Sequence, residues 1–281
     1  MEAALAYVLS FKSLLLVILI FVPLERLFAL HRQQRLLRRL WQLDVLYVLI
    51  NPAVIGFLMN GLLFLAVLLV SLAIPSPVQA WMGAQPLWFQ FPILVLAADL
   101  GFYGMHRLFH AVPVLWRFHA VHHSIEELDW LAAHRVHPMD QVLTKGASLV
   151  PVFALGFSEG PIAAFFVMYF WQSLLIHSNV KLEFGPLGRI LATPRFHHWH
   201  HANQTEAFDR NFAGQLPFID WIFGTLYMPE REMPRRYGTD LPVPAGFLAQ
   251  MIFPMTKPEA PTPYGGPPQD GGEKPGNPAT K

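Results

Sequence analysis

The chain has 281 residues, of which 53% are hydrophobic and 14% charged, with a net charge of +1 at neutral pH. An average soluble domain carries about a quarter of its residues charged, so the composition excludes an ordinary soluble protein, and the balanced charge gives no reason to expect a nucleic-acid partner. Cysteine is absent, which excludes a disulfide framework, a thiolate metal site and a cysteine nucleophile; a bound metal must use nitrogen and oxygen donors.

Residues 5–24 are apolar apart from Lys12, long enough to cross ~30 Å of hydrocarbon. No basic n-region precedes them and no A-x-A-like site follows, so a retained span is expected rather than a signal peptide. The run from His31 to Arg39 is strongly basic and is expected on the cytoplasmic side; His31 belongs to that run and not to a site. The apolar stretch 43–74 is too long for one straight span. Asn51-Pro52 is expected to break it, because the residue before proline is pushed off the helical region. This leaves an interfacial entry and a span at 53–74, ended by Pro75-Ser76-Pro77. Residues 87–105 return. Residues 141–157 and 161–177 read as two short legs of a membrane hairpin joined at Ser158-Glu159-Gly160. The segments 106–140 and 178–253 then fall on the side of the basic run. The Pro/Gly-rich tail 254–281 lacks apolar residues for a core and is expected to be disordered. The fold class expected is an all-α integral membrane protein with about four or five spanning or hairpin helices. Its parts are N-terminal spans with a basic segment (1–90), a catalytic domain including the hairpin 141–177 (91–253) and the tail (254–281).

Histidine, 13 residues in all, is clustered. The clusters are His106-x-x-x-His110, His119-x-x-His122-His123 and His197-His198-x-His200-His201, with His134, His137 and His177 between them. On a helix, residues three and four apart share a face, so each cluster aims several imidazoles at one region. Asp99 and Tyr103 lie on the face of His106 and His110, at offsets of 4, 7 and 11 residues from Asp99. Metal-bound histidine hands its other ring nitrogen to a carboxylate or carbonyl, which makes Asp99 a partner candidate. Isolated histidines are ordinarily structural; three internal clusters beside membrane spans point to metal. About eight imidazoles exceed one tetrahedral zinc, and two metals account for the count; two zincs would satisfy it as well as two irons.

Other polar residues carry blander readings. Glu126, Glu127 and Asp129 read as a solvated loop face. Asp140 is balanced between orienting His137 and capping the next helix. Asn203, Asp209 and Asn211 read as turn residues, and Asp220 as a cap. Trp116, Trp130, Trp171 and Trp199 read as interfacial anchors.

The histidine pattern resembles the fatty acid hydroxylase / sterol desaturase superfamily. The flanking stretches Asp99-Leu100-Gly101-Phe102-Tyr103-Gly104-Met105-His106-Arg107, Trp116-Arg117-Phe118-His119, Arg135-Val136-His137-Pro138, His177-Ser178-Asn179, Thr193-Pro194-Arg195-Phe196-His197 and Phe223-Gly224-Thr225 continue it. The resemblance covers about residues 92–228. It implies a membrane-bound, non-haem di-iron oxidoreductase, with its metal site on the cytosolic face, that uses O₂ to hydroxylate or desaturate a lipid: a fatty acyl chain, sterol, carotenoid or ether lipid. The ligands it implies are His106, His110, His119, His122, His123, His197, His200 and His201, with His137 and His177 as further ligands. His134 and His198 are weaker additions, since the spacing is met without His198. Asp99, Tyr103 and Asp140 would stand behind the ligands. Neither a nucleotide fingerprint nor a haem segment is found, so a separate electron-transfer protein is implied, or a reduced pterin as in the ether-lipid branch. A non-redox metal-binding protein or metal transporter is the competing reading. Transport calls for ionisable ligands at mid-membrane, where Asp99 is the only acid well inside a span. A zinc protease is disfavoured because Arg107 stands where H-E-x-x-H needs glutamate.

Overall fold

The computed structural model describes residues 11–71, 74–182, 184–230 and 232–256. Among these, α-helices and short 3₁₀ turns are the only extended elements, with two isolated bridges, Ala29 to Val180 and Ala202 to Tyr237. The helices are α1 (Phe11–Leu27), α2 (Trp41–Ser71), α3 (Ser76–Gly83), α4 (Leu87–Ala111), α5 (Pro113–His123), α6 (Pro138–Ala154), α7 (Glu159–His177), α8 (Pro194–His200), α9 (Phe218–Ile222) and α10 (Phe247–Ile252).

Three helical stretches are long and apolar enough to cross a membrane: Trp41–Leu62, Leu87–Ala111 and Glu159–His177. Their outer faces expose large apolar side chains, among them Phe57 and Trp88, as lipid-facing helices do. The first part of the expected span 5–24 and the tail from 257 lie outside the described residues.

Three expectations are corrected. First, α2 runs unbroken through Pro52. Proline removes one backbone N–H and crowds one carbonyl, a local loss that neighbouring helices can offset in an apolar segment; Asn51 Nδ2 donates to the Val136 carbonyl at this point. Second, the hairpin legs both pack against α4, and α6 is not among the stretches long and apolar enough to cross. Third, residues 254–256 are not part of a loose tail: Phe253 and Pro254 are buried, and Arg117 donates to the carbonyls of Phe253, Pro254 and Thr256.

Proline also sets the directions of the histidine-bearing helices. Pro113, Pro138 and Pro194 each occupy the first helical turn, where the missing N–H costs nothing and φ is already helical. Val112, His137 and Thr193 before them are extended, the conformation favoured for the residue before proline. The chain thus turns sharply after α4, and α5 brings its histidines back beside His106 and His110. The main core lies between α4, α6 and α7, with Leu94, Ala98, Val142, Val152 and Phe165 buried in it. Gly101 lets α4 and α6 meet backbone to backbone, because a Cβ there would collide with the Ala147 carbonyl.

The basic run packs directly on the histidine-bearing region. Buried Arg38 pairs with Asp44 at 2.6 Å and Asp129 at 2.8 Å, and Arg135 also pairs with Asp44. The main chain of Leu30 donates to the Asn179 carbonyl, and that of Lys181 to the Phe28 carbonyl.

Candidate metal centre

Four helices end at one place. His110 lies in the last turn of α4, His122 and His123 in that of α5, His177 in that of α7, and His197 and His200 in that of α8. The C-terminal end of a helix carries partial negative charge that favours cations, so this convergence suits metal ions before any side chain is counted.

The imidazoles sort into two buried groups. His106, His110, His119, His123 and His200 form one; His122, His177, His197 and His201 form the other. Within each group one ligand atom per residue lies within 4.8 Å of all the rest. The two adjacent histidines of each box divide between the groups: His122 and His123 go to different sites, as do His200 and His201.

Outer hydrogen bonds fix the ring orientation. Nδ1 of His106 donates to the Phe212 carbonyl (2.7 Å), of His122 to Arg135 (3.0 Å), of His177 to Ser173 (2.7 Å) and of His200 to Arg210 (2.9 Å). His119 Nδ1 faces the Asp140 carboxylate at 2.7 Å, and His110 Nδ1 faces Asp209 at 3.3 Å. A carbonyl can only accept, so these Nδ1 atoms carry the proton and the Nε2 atoms carry lone pairs. Yet His122 and His177 place their Nε2 atoms 3.2 Å apart, and His106 and His119 place theirs 3.0 Å apart. Two lone pairs at that distance repel unless a cation lies between them.

The spacing fits such a cation. The Nε2 separations are 3.0, 3.1 and 3.0 Å along His106, His119, His123 and His200, and 3.2, 2.9 and 3.1 Å along His122, His177, His197 and His201. With metal–nitrogen bonds of ~2.1 Å, adjacent donors stand about 3.0 Å apart on an octahedron and about 3.4 Å on a tetrahedron. Five donors also exceed the tetrahedral zinc set of four. Burial and neighbouring imidazoles hold His119, His122, His123, His197 and His201 well below the usual histidine range, and burial brings His200 down to about 4. All are therefore neutral at pH 7, the form that binds metal.

Four histidines stand outside both groups. His137 caps α6: its Nδ1 accepts from the Met139 N–H, and its Nε2 donates to the Met251 carbonyl. With both ring nitrogens engaged, it is a structural cap and not part of the convergence. His198 donates to the Ser178 carbonyl through Nε2, and its Nδ1 lies 2.9 Å from the Tyr237 hydroxyl. His134 ends the 3₁₀ turn Trp130–His134. His31 contacts the other side of the Tyr237 hydroxyl, at 3.0 Å.

The residues expected behind the ligands are placed differently. Asp99 touches no histidine; it accepts from the main-chain N–H groups of Gly214, Gln215 and Leu216. It thus fixes the loop whose Phe212 carbonyl holds His106. Tyr103 meets the Thr225 hydroxyl at 3.0 Å. Asp140 orients His119, not His137. Asp129 is buried against Arg38 and caps the 3₁₀ turn, so it is not a solvated face; Glu126 is, paired with exposed Arg39. Trp199 and Trp130 are buried rather than interfacial, and Trp116 packs its ring against His110 and His123. Asp220 caps the loop by accepting from the Phe212 and Ala213 N–H groups. Sequence reading missed Arg135, whose guanidinium pairs with Asp44 while its carbonyl orients His122. The one available signal was Asp44 itself, an acid in an apolar helix that calls for a partner.

Comparison with known proteins gives a consistent family. The fatty acid hydroxylase family matches residues 91–225. The chain is 33% identical over 180 residues to an ornithine lipid hydroxylase of Rhizobium tropici, covering 63% of this chain and 54% of that protein. It is 35% identical over 130 residues to the human alkylglycerol monooxygenase, covering 46% of this chain and 29% of that one. It is 28% identical over 146 residues to a Delta(7)-sterol 5(6)-desaturase of Gibberella zeae, covering 52% and 40%. The chain therefore spans about half the length of the first of these relatives and less of the others. No solved structure matches it. All nine converging histidines lie inside the matched segment, and residues 91–225 form a fatty acid hydroxylase domain of the fatty acid hydroxylase / sterol desaturase superfamily.

Proposed function

We propose that the protein is a membrane-bound di-iron oxidoreductase that uses O₂ to hydroxylate or desaturate a lipid. The observation that carries this reading is the pair of buried imidazole groups, in which Nε2 atoms face one another while Nδ1 of His106, His122, His177 and His200 turns outward to main-chain carbonyls, within a fatty acid hydroxylase domain. His106, His110, His119, His123 and His200 would hold one iron, and His122, His177, His197 and His201 the other. Bound iron supplies the redox chemistry that joins O₂ to an unactivated C–H bond. In hydroxylation one oxygen atom enters the C–H bond, and the other leaves as water after taking up two electrons and two protons.

The residues of this chain do the positioning. Main-chain carbonyls and Asp140 keep the imidazole protons away from the metals. The ring of Trp116 and buried Phe212 cover the five-histidine group. The domain holds no nucleotide-binding fingerprint, so the electrons are assigned to a separate donor protein or a reduced pterin. The ornithine lipid hydroxylase and alkylglycerol monooxygenase relatives support a polar lipid as substrate. The basic run packed on the site supports a cytoplasmic position for it.

The test is metal content per chain in detergent-purified protein, with Mössbauer spectroscopy on ⁵⁷Fe-grown cells. Two coupled irons per chain are expected. His122→Ala and His200→Ala should each lose metal and activity, whereas His31→Ala should keep both. Zinc alone after anaerobic iron reconstitution, or wild-type activity in the two ligand variants, would overturn the reading in favour of a non-redox metal site.

A further inference from the structure

Beside the two histidine groups lies a partly open cavity of about 70 Å³. Members of both groups line it, and so do Lys145 of α6, Tyr169 of α7 and Gln215 of the loop after α8. Lys145 is the only basic residue in α6, which is otherwise largely apolar. Among the described residues its ammonium makes no hydrogen bond or ion pair. Gln215 is pinned through its main chain, its N–H on Asp99 and its carbonyl accepting from the Ala192 N–H. Its side-chain Oε1 is nonetheless buried without a hydrogen-bond partner.

Neither feature helps the metal site by itself. An ammonium group near two cations repels them, and a buried acceptor without a donor is unfavourable. Both are resolved by a small oxygen-bearing group in the cavity. The ammonium can only donate and Oε1 can only accept; a hydroxyl does both, and a carboxylate answers the ammonium while the carboxamide turns its N–H toward it. A methylene chain answers neither, and the cavity has room for a small polar group rather than a long acyl chain.

The geometry points to Lys145 and Gln215 as a substrate-binding pair that takes a hydroxyl or carboxyl at the head end of the lipid, so that the C–H bond offered to the histidine groups lies within a few bonds of that oxygen. This rests on the oxidoreductase reading above and adds to it where on the lipid the reaction falls. Oxidation is directed to the head-group end, not to the middle of an alkyl chain.

The test reads binding without turnover. Radiolabelled 1-dodecanol, dodecanoate and dodecane are titrated into the anaerobic, metal-loaded full chain in detergent, with metal content measured on the same samples. Wild type is expected to favour an oxygenated probe over dodecane by about tenfold or more, the scale of one charge-assisted hydrogen bond. Lys145→Met should abolish that preference at unchanged metal content, and Lys145→Arg should keep part of it. Absence of preference in wild type, or an undiminished preference in metal-replete Lys145→Met, would overturn the proposal. Should Lys145→Met fail to load metal, Gln215→Leu decides: a weakened preference for dodecanol supports the pair, and an unchanged one overturns it. A zinc-loaded protein with the expected preference would refute the oxidoreductase reading and leave this one standing. An iron protein that oxidises lipid without the preference would do the reverse.

Discussion

Removal of the Asp140 carboxylate should weaken one metal and spare the other. Asp140 lies 2.7 Å from His119 Nδ1, with both side chains buried. His119 in turn presents Nε2 at 3.0 Å from that of His106 and 3.1 Å from that of His123, inside the five-histidine group. In Asp140→Ala the imidazole loses the acceptor that fixes its tautomer and its ring angle. Loss of such an outer partner lowers metal affinity by about 10- to 100-fold, or about 1.4–2.7 kcal/mol, which agrees with ~1.5–3 kcal/mol for a hydrogen bond to a charged group. Four other imidazoles remain at that metal, so the lower end of the range is expected. The four-histidine group does not touch Asp140; His122 and His177 lean on the carbonyls of Arg135 and Ser173. Metal affinity at each site, measured by chelator competition with Mössbauer spectra of the partly loaded protein, should therefore show one weakened site and one unchanged. Asp140→Asn keeps an acceptor oxygen and should lose less than Asp140→Ala. Equal weakening of both sites, or full affinity at both, would refute the division into two groups.

The same division predicts that His110→Ala, which leaves four donors, retains more metal at its site than His197→Ala, which leaves three; chelator titration of both variants checks this. Gly101→Ala forces the backbones of α4 and α6 apart, an overpacking penalty of ~1–3 kcal/mol. The thermal unfolding temperature and metal affinity should fall together, whereas Gly104→Ala, whose Cβ would meet nothing, should change neither. In the metal-free protein, stability should be full above about pH 6.5, where the unfolded histidines are neutral. It should fall as pH drops from there toward about 4, the value for His200, because the unfolded chain takes up protons that the buried imidazoles refuse. Denaturant midpoints between pH 8 and 4 test the sign, and rising stability on acidification would contradict it.

Much of the centre is written in the sequence because a helix converts spacing into direction. The H-x-x-x-H and H-x-x-H-H boxes place imidazoles on one face of α4 and α5, and the three prolines at helix starts are visible signals of where the chain turns. His137 misled for a physical reason. It sits beside Pro138 in a motif-like stretch, but that proline makes it the residue before a helix, so its ring caps α6 instead of reaching a metal. Asp99 misled in a related way: helical phase puts it on the face of His106, but at the opening of the loop 212–216 a carboxylate finds free N–H groups before it finds an imidazole. The division of His122 and His123 between the two imidazole groups was not legible, because adjacent residues on a helix diverge by about 100° and only the surrounding helices decide what each one meets. The outer partners were the least legible of all. Four of the six that hold Nδ1 atoms are main-chain carbonyls, from Phe212, Arg135, Ser173 and Arg210, and a carbonyl has no sequence signature. Their placement depends on side chains elsewhere: Asp99 and Asp220 for the loop bearing Phe212, and Asp44 for Arg135. A substitution at Asp44, in the helix Trp41–Ser71 and carrying no imidazole, should therefore disturb the His122 ring through Arg135. Asp44 of α2 is thus tied to the histidine boxes although the two share no motif.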